Sequence, residues 1–203
     1  MPSDVAPGDS GNHGRARSPT ARFETERFLN AETDNQSMTR VCLLGTDDVA
    51  LRQTLRSHET ARDALWTYDL TEPYRNAVEV ETMSLGATIT LLNDLNWYLV
   101  RYVADTLVSE PSVSETEWLS RELATEIRDG RVDPDESDRY LKVYGMLEPD
   151  DSDGDETAGA VTSARRLVEP MYVTRTDDSI PAYDLRDVTD TVVVRVTESE
   201  FSG

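Results

Sequence analysis

Ser84-Leu-Gly-Ala-Thr-Ile-Thr-Leu-Leu-Asn-Asp-Leu-Asn-Trp-Tyr-Leu-Val-Arg-Tyr-Val-Ala-Asp-Thr-Leu-Val-Ser109 is the stretch on which the fold turns. On a helical wheel Leu85, Ile89, Leu92, Leu95, Leu99, Val103 and Leu107 share one arc, and Asn93, Asp94, Trp97, Arg101 and Asp105 gather opposite. That spacing predicts one long amphipathic helix over residues 84–109. Asn93, Asp94, Asn96, Arg101 and Asp105 interrupt it too often for a segment that crosses a membrane.

Working upstream, residues 77–83 alternate, with Val78, Val80 and Thr82 facing one way and Glu79 and Glu81 the other. This is the pattern of a strand with one wet face. Residues 64–70 read as its partner across a Thr-Glu-Pro-Tyr turn. The continuous apolar run at 40–44 reads as a buried central strand, and Gly45 turns it into a short helix at 47–57.

Downstream, Ser114 and Glu117 have capping-box spacing, and Leu119, Leu123 and Ile127 give one buried stripe. Gly130 supplies a C-terminal stop, so residues 114–130 read as a second helix. Strands follow at 140–147, 167–174 and 191–197. Pro170 lacks an N–H for a ladder, so the middle one belongs at an edge or carries a bulge. The order predicts an α+β fold, a ferredoxin-like βαββαβ core with an extra helix and C-terminal antiparallel strands, its sheet packed on helices.

Residues 1–37 are polar, rich in Gly, Pro, Ser and Asn, and aperiodic, so they read as a disordered tail or as an upstream extension from a mis-assigned start. Residues 38–203 read as one domain, with an acidic loop at 149–164 that holds five carboxylates and no base.

The chain holds forty acidic residues against nineteen arginines and one lysine, Lys142, for a net charge of −20. Half of that excess lies between residues 38 and 148 rather than in a tail. Such charge destabilises a compact state unless counter-ions screen it, and at about 1 M salt the Debye length is only about 3 Å. The pattern points to a salt-rich cytosol. With one cysteine, Cys42, and two histidines, His13 and His58, the sequence excludes an intramolecular disulfide and supplies too few ligands for a Cys/His zinc site. Cys42 reads as a small buried hydrophobe, and His58 as a surface-loop histidine. No lysine-arginine patch favours nucleic acid, and no apolar segment favours a membrane or a secretory leader.

The run Ser84 to Arg101 quoted above, with Pro111-Ser-Val-Ser-Glu-Thr-Glu-Trp-Leu119 and Tyr172-Val-Thr-Arg-Thr-Asp177, resembles an uncharacterised family of halophilic archaea. The resemblance runs from about Met38 to the C-terminus. It implies a haloarchaeal cytosolic origin and a domain of unknown function, and brings no ligand, cofactor or catalytic residue with it.

Three constellations remain. The strand-Gly45-helix junction invites phosphate, but Asp47 and Asp48 would repel it and serve better as helix-start charges. Asn93, Asp94, Trp97 and Arg101 could line a pocket, with Arg101 gripping an anion; the plainer account is a solvent-facing stripe with Arg101 paired to Asp105. Two Tyr-Asp-Leu tetrads place Asp69 near Arg75 and Asp184 near Arg186, and converging carboxylates could hold a divalent cation; chance repetition in an aspartate-rich chain is the plainer account.

The candidate site is therefore Asp69, Arg75, Asn93, Asp94, Trp97, Arg101 and Asp184. With no histidine triad and no cofactor motif, the leading reading is a non-enzymatic module that binds a protein partner or itself. The alternatives are a metal-dependent carboxylate enzyme acting on a phosphorylated small molecule, and a small-ligand-sensing domain.

Overall fold

Strand β1 (Thr39–Gly45) is buried on both faces, and the fold is built around it. Val41 and Leu43 face a layer of helices, whereas Cys42 faces the other side with Leu107, Trp118 and Val194. The computed structural model describes residues 38–148, 165–176 and 188–203. The acidic run at 149–164 and the second Tyr-Asp-Leu tetrad, with Asp184, lie outside them.

The element order is β1, α1 (Leu51–Ser57), α2 (Glu59–Leu65), β2 (Ala77–Thr82), α3 (Leu85–Asp94), α4 (Asn96–Tyr102), β3 (Val103–Ser109), β4 (Trp118–Ser120), α5 (Arg121–Arg128), β5 (Tyr140–Leu147), β6 (Arg166–Thr174), β7 (Asp190–Arg195) and α6 (Glu198–Ser202). One sheet takes the order β2-β1-β3-β4-β7-β5-β6. Every described pairing is antiparallel except β4 with β7.

The α+β class holds, with helices and a mostly antiparallel sheet, but the ferredoxin-like arrangement does not. There the strand after the first helix runs parallel to β1 with another strand between them; here β2 lies directly against β1 and antiparallel to it. The cause is the connection. A single helix carries the chain to the far end of the sheet, whereas the two seven-residue helices α1 and α2, broken at His58, return it to the end it left.

Three expected elements change with this. Residues 64–70 are not a strand: Ala61 and Leu65 are buried one helical turn apart at the end of α2, while Trp66 is exposed. Only Thr71 bridges to Glu79. The long helix at 84–109 is α3, α4 and then β3. It starts as expected, with Ser84 Oγ accepting from Ala87 N–H at 3.2 Å. It breaks at Leu95 and becomes extended at Val103. Leu99, Val103 and Leu107, four apart, satisfy a helical period, but the helix ends at Tyr102 and the extra residue Ala104 leaves Val103 against the helix-side core and turns Leu107 to the opposite face. β-branched Val103, Thr106 and Val108 suit the strand, which pairs along β1 from Ser109 back to Val103.

The helix expected at 114–130 begins only at Arg121, capped by Ser120 Oγ, which accepts from Leu123 N–H at 3.1 Å. Ser114 Oγ does accept from Glu117 N–H at 3.1 Å, but this closes a turn ahead of β4. Gly130, at φ +68°, ends α5 as its sequence position implies.

The helix side of the sheet buries Leu51, Leu55, Ile89, Leu92, Leu95, Leu119 and Leu123 with Val41, Leu43, Val78 and Val80. Each fully buried aliphatic side chain contributes about 1.5–3 kcal/mol. β6 is an edge strand and is bulged around Pro170, as the missing N–H requires. On the helix side of the far half, Glu117 accepts from Arg175 and from Arg195 Nε at 2.6 Å, and Arg175 Nη1 donates to Asp138 at 2.9 Å. Glu117, Arg175 and Arg195 are nearly buried and Asp138 is partly exposed, so the network ties the starts and ends of β4, β7 and β6 together.

Candidate functional site: a lysine-centred cleft

Alternation along β5 places Tyr140, Lys142, Tyr144 and Met146 on the sheet face away from the main helix layer. β3 puts Asp105 on that same face, since it pairs opposite Leu44 in register with Leu107 opposite Cys42. In a flat sheet three strand spacings of about 4.8 Å would hold β3 and β5 roughly 14 Å apart. Instead Lys142 Nζ donates to Asp105 Oδ2 at 2.5 Å, and Tyr144 Oη donates to the same oxygen. Both side chains reach across the gap beside three-residue β4, which pairs with β3 only at Leu107 and Val108, and they floor a cleft of about 1590 Å³.

The cleft has apolar walls, including Leu44, Leu147, Leu167, Val168, Met171 and Val188, and a polar floor of Asp105, Lys142 and Tyr144. Two irregularities aim that floor. β3 carries an extra residue, Ala104, between Val103 and Asp105 where it pairs with β1. β6 sets residues 169 and 170 against Tyr144 alone. Bulges of this kind redirect side chains and are common beside functional sites. Asp105 is fixed further by its Oδ1, which accepts from Thr106 N–H at 2.8 Å.

The side chains of Lys142 and Asp105 are 10% and 17% exposed, so this is a largely desolvated ion pair. The ammonium also lies 5.8 Å from the ring centres of Tyr144 and Tyr172, near the outer limit of cation–π attraction. Burial, then the Asp105 charge and the hydrogen bond to it, push the Tyr144 phenol far above the ordinary tyrosine range, so it keeps its proton and remains a donor. Cys42 lies deeper on the same face, and burial drives its thiol far upward, which makes it an inert core residue as the sequence implied.

The rim at the β1–α1 turn includes Asp47 and Asp48. They do not cap α1, which starts at Leu51 with Ala50 at its N-cap. The cap comes from Asn76, whose Oδ1 accepts from Leu51 N–H at 2.9 Å and whose Nδ2 donates to the Thr46 carbonyl at 2.8 Å. Asn76 sits at φ 55° and its own carbonyl accepts from Gly45 N–H at 2.8 Å. A Cβ on Gly45 would stand 2.5 Å from Asn76 Nδ2, so glycine is required for this close approach.

Of the described members of the seven-residue candidate site, only Arg75 lines the cleft; its N–H donates to the Arg165 carbonyl at 2.8 Å. Asp69 is exposed ahead of β2, and Asp184 lies outside the described residues. Asn93 and Asp94 are exposed at the end of α3, where Asn93 Oδ1 accepts from Arg121 at 3.4 Å. Trp97 and Arg101 are stacked on α4, with the guanidinium 4.0 Å from the ring centre. The expected Arg101–Asp105 pair is not made, because the helix ends at Tyr102 and Asp105 turns to Lys142. His58 is half-buried against the rings of Trp97, Tyr98 and Tyr102 at 5.3–6.0 Å rather than loose on the surface. No cluster of three metal-ligating side chains occurs among the described residues, and no helix there is long and apolar enough to cross a membrane.

Sequence reasoning passed over Asp105 and Tyr144, and took Lys142 as a sign of environment alone. The signal for Lys142 was its rarity, and for Tyr144 its shared strand face. Asp105 gave none, because its segment carried a helical period.

No curated protein and no solved structure matches the chain. The family of unknown function DUF5804 matches residues 39–146, from the start of β1 almost to the end of β5, with Asp105, Lys142 and Tyr144 all inside the match. The chain therefore belongs to the DUF5804 family.

Proposed function

We propose that this protein is a small-molecule-binding domain of a salt-rich cytosol, with the cleft as its site and Lys142, Asp105 and Tyr144 as its polar centre. One observation carries the reading: the only lysine among twenty cationic side chains is buried in the cleft beside a carboxylate and a phenol. A small set of convergent polar groups in an apolar concavity is the usual make-up of a ligand site. A structural ion pair could as well use arginine, which is less strongly hydrated and is this chain's cation everywhere else. The acidic excess supports the salt-rich setting and a haloarchaeal origin.

One lysine means one lysine spin system, so selective ¹³C,¹⁵N-lysine labelling gives a direct probe. A fragment library is titrated in concentrated KCl. The reading expects saturable shifts of the Lys142 side-chain signals with a defined chemical class, lost with a competitor of that class. A library that leaves the Lys142 signals unmoved, or moves them without saturation, overturns it.

A second reading, self-association, draws support from exposed Trp97 and Val100 on α4. Sedimentation of the full chain with and without Val100→Glu tests it; a monomer at all concentrations removes it.

A further inference from the structure

We propose that Lys142 is a nucleophile that condenses with a small aldehyde or ketone of apolar body, forming an imine in the cleft. This rests on the cleft being the binding site and names the chemistry of what enters it.

Three features of the geometry converge. Lys142 carries the one side-chain amine of this chain, and the guanidinium groups do not deprotonate at ordinary pH. Its Nζ is in hydrogen-bond contact with Asp105 Oδ2, which can take its proton. Tyr144 Oη shares that oxygen, so a proton donor lies beside the attacked carbon's oxygen. Nucleophilic amines are activated by a desolvated setting with an adjacent base, and Lys142 has both.

The step balances without an oxidant or reductant. Asp105 takes one proton from the Lys142 ammonium, and the released lone pair forms a bond to the carbonyl carbon while the π pair moves to oxygen. A second Nζ proton passes to that oxygen, with the Tyr144 hydroxyl donating a hydrogen bond to it. The proton on Asp105 then goes to the hydroxyl, the C–O bond breaks, and water leaves. Ammonium and carbonyl have become iminium and water, with Asp105 again a carboxylate beside the new cation. Apolar walls at Leu44, Leu147, Val168 and Met171 suit an apolar substituent.

The test uses the full chain with 4-hydroxybenzaldehyde and, separately, phenylacetone, each with sodium cyanoborohydride, followed by peptide mass spectrometry. The N-terminal amine is the internal control. The expected result is saturable formation of a secondary amine at Lys142, about a hundredfold faster than in Asp105→Asn or Tyr144→Phe chains that keep native circular dichroism, as loss of proton-transfer assistance requires. Should Asp105→Asn fail to fold, Tyr144→Phe still decides.

Trapping at Lys142 no faster than at the N-terminus, or unchanged in the variants, overturns the proposal. If either carbonyl compound shifts the Lys142 signals reversibly with no trapped adduct, the imine falls and the binding cleft stands. If the fragment library also leaves those signals unmoved, both fall.

Discussion

Replacing Asp105 by Leu and Lys142 by Met, singly and together, tests whether the cleft floor is the coupled, desolvated unit that its geometry describes. At 2.5 Å and an effective dielectric of about 20 the gross attraction is about 6–7 kcal/mol, from which the desolvation of two ions must be subtracted. Lys142→Met leaves Asp105 with the Tyr144 hydroxyl and the Thr106 N–H, so the carboxylate stays partly satisfied and the cost is about 3 kcal/mol. Asp105→Leu strands an ammonium and a phenol. Removing the partner of a largely buried charge costs about 3–5 kcal/mol, so about 4 kcal/mol is expected.

The double variant removes both charges and leaves mainly the Tyr144 hydroxyl without an acceptor, so it should cost about 3 kcal/mol at most and not the sum. The coupling energy is then about 4 kcal/mol. Urea unfolding at fixed KCl measures it, since guanidinium is itself a salt. Because the pair is largely buried, the coupling should persist as salt rises. A coupling below about 0.5 kcal/mol, or one that vanishes in high salt, would refute the reasoning, because an exposed surface pair behaves that way.

Other outcomes follow from the same coordinates. Gly45→Ala drives a Cβ into Asn76 and should lower stability by about 1–3 kcal/mol in urea unfolding; a neutral result would mean the β1–α1 turn shifts at no cost. Asn76→Gly keeps the left-handed backbone but loses the α1 cap and the Thr46 bond, costing about 1–2 kcal/mol, and Asn76→Ala should cost more because alanine dislikes φ 55°.

Alkaline pH should destabilise the fold through Cys42 and Tyr144, both raised in the native state. Their contribution is fully present below the unfolded values of about 8.5 and about 10 and is lost as pH rises from there toward the native values. For Cys42 alone this is about 1.4 kcal/mol per pH unit above about 9, so Cys42→Val should flatten the decline of stability measured by urea unfolding against pH. In the proposed salt-rich setting, thermal stability should climb as KCl goes from about 0.1 to about 1 M and the Debye length shrinks from about 10 to about 3 Å; a flat calorimetric response would remove that reading.

The parts of the fold that were legible are those where one local rule acts alone. Alternation of Val78, Val80 and Thr82 against Glu79 and Glu81 marked β2 with its buried face. The apolar run around Cys42 marked a strand covered on both sides, and Pro170 marked a bulged edge. Where two rules agreed on the same residues, the reading failed. Leu99, Val103 and Leu107 keep a helical period while β-branched Val103, Thr106 and Val108 suit a strand, and only pairing with β1 separates the two.

The described members of the candidate site lie apart from the cleft, Arg75 excepted, for a different reason. Asn93, Trp97 and Arg101 are neighbours in sequence spacing, and that proximity is real, but it lies on the helix layer and not in the cleft.

From the sequence by itself come the α+β class, most strands, the buried Cys42 and the fact that one lysine stands among nineteen arginines. What that lysine does in the fold was decided by tertiary structure alone. Lys142 and Asp105 are thirty-seven residues apart, on strands that do not pair. They meet because both side chains reach across the gap beside short β4, and that gap is set by how several strands pair, written in no single stretch of the chain.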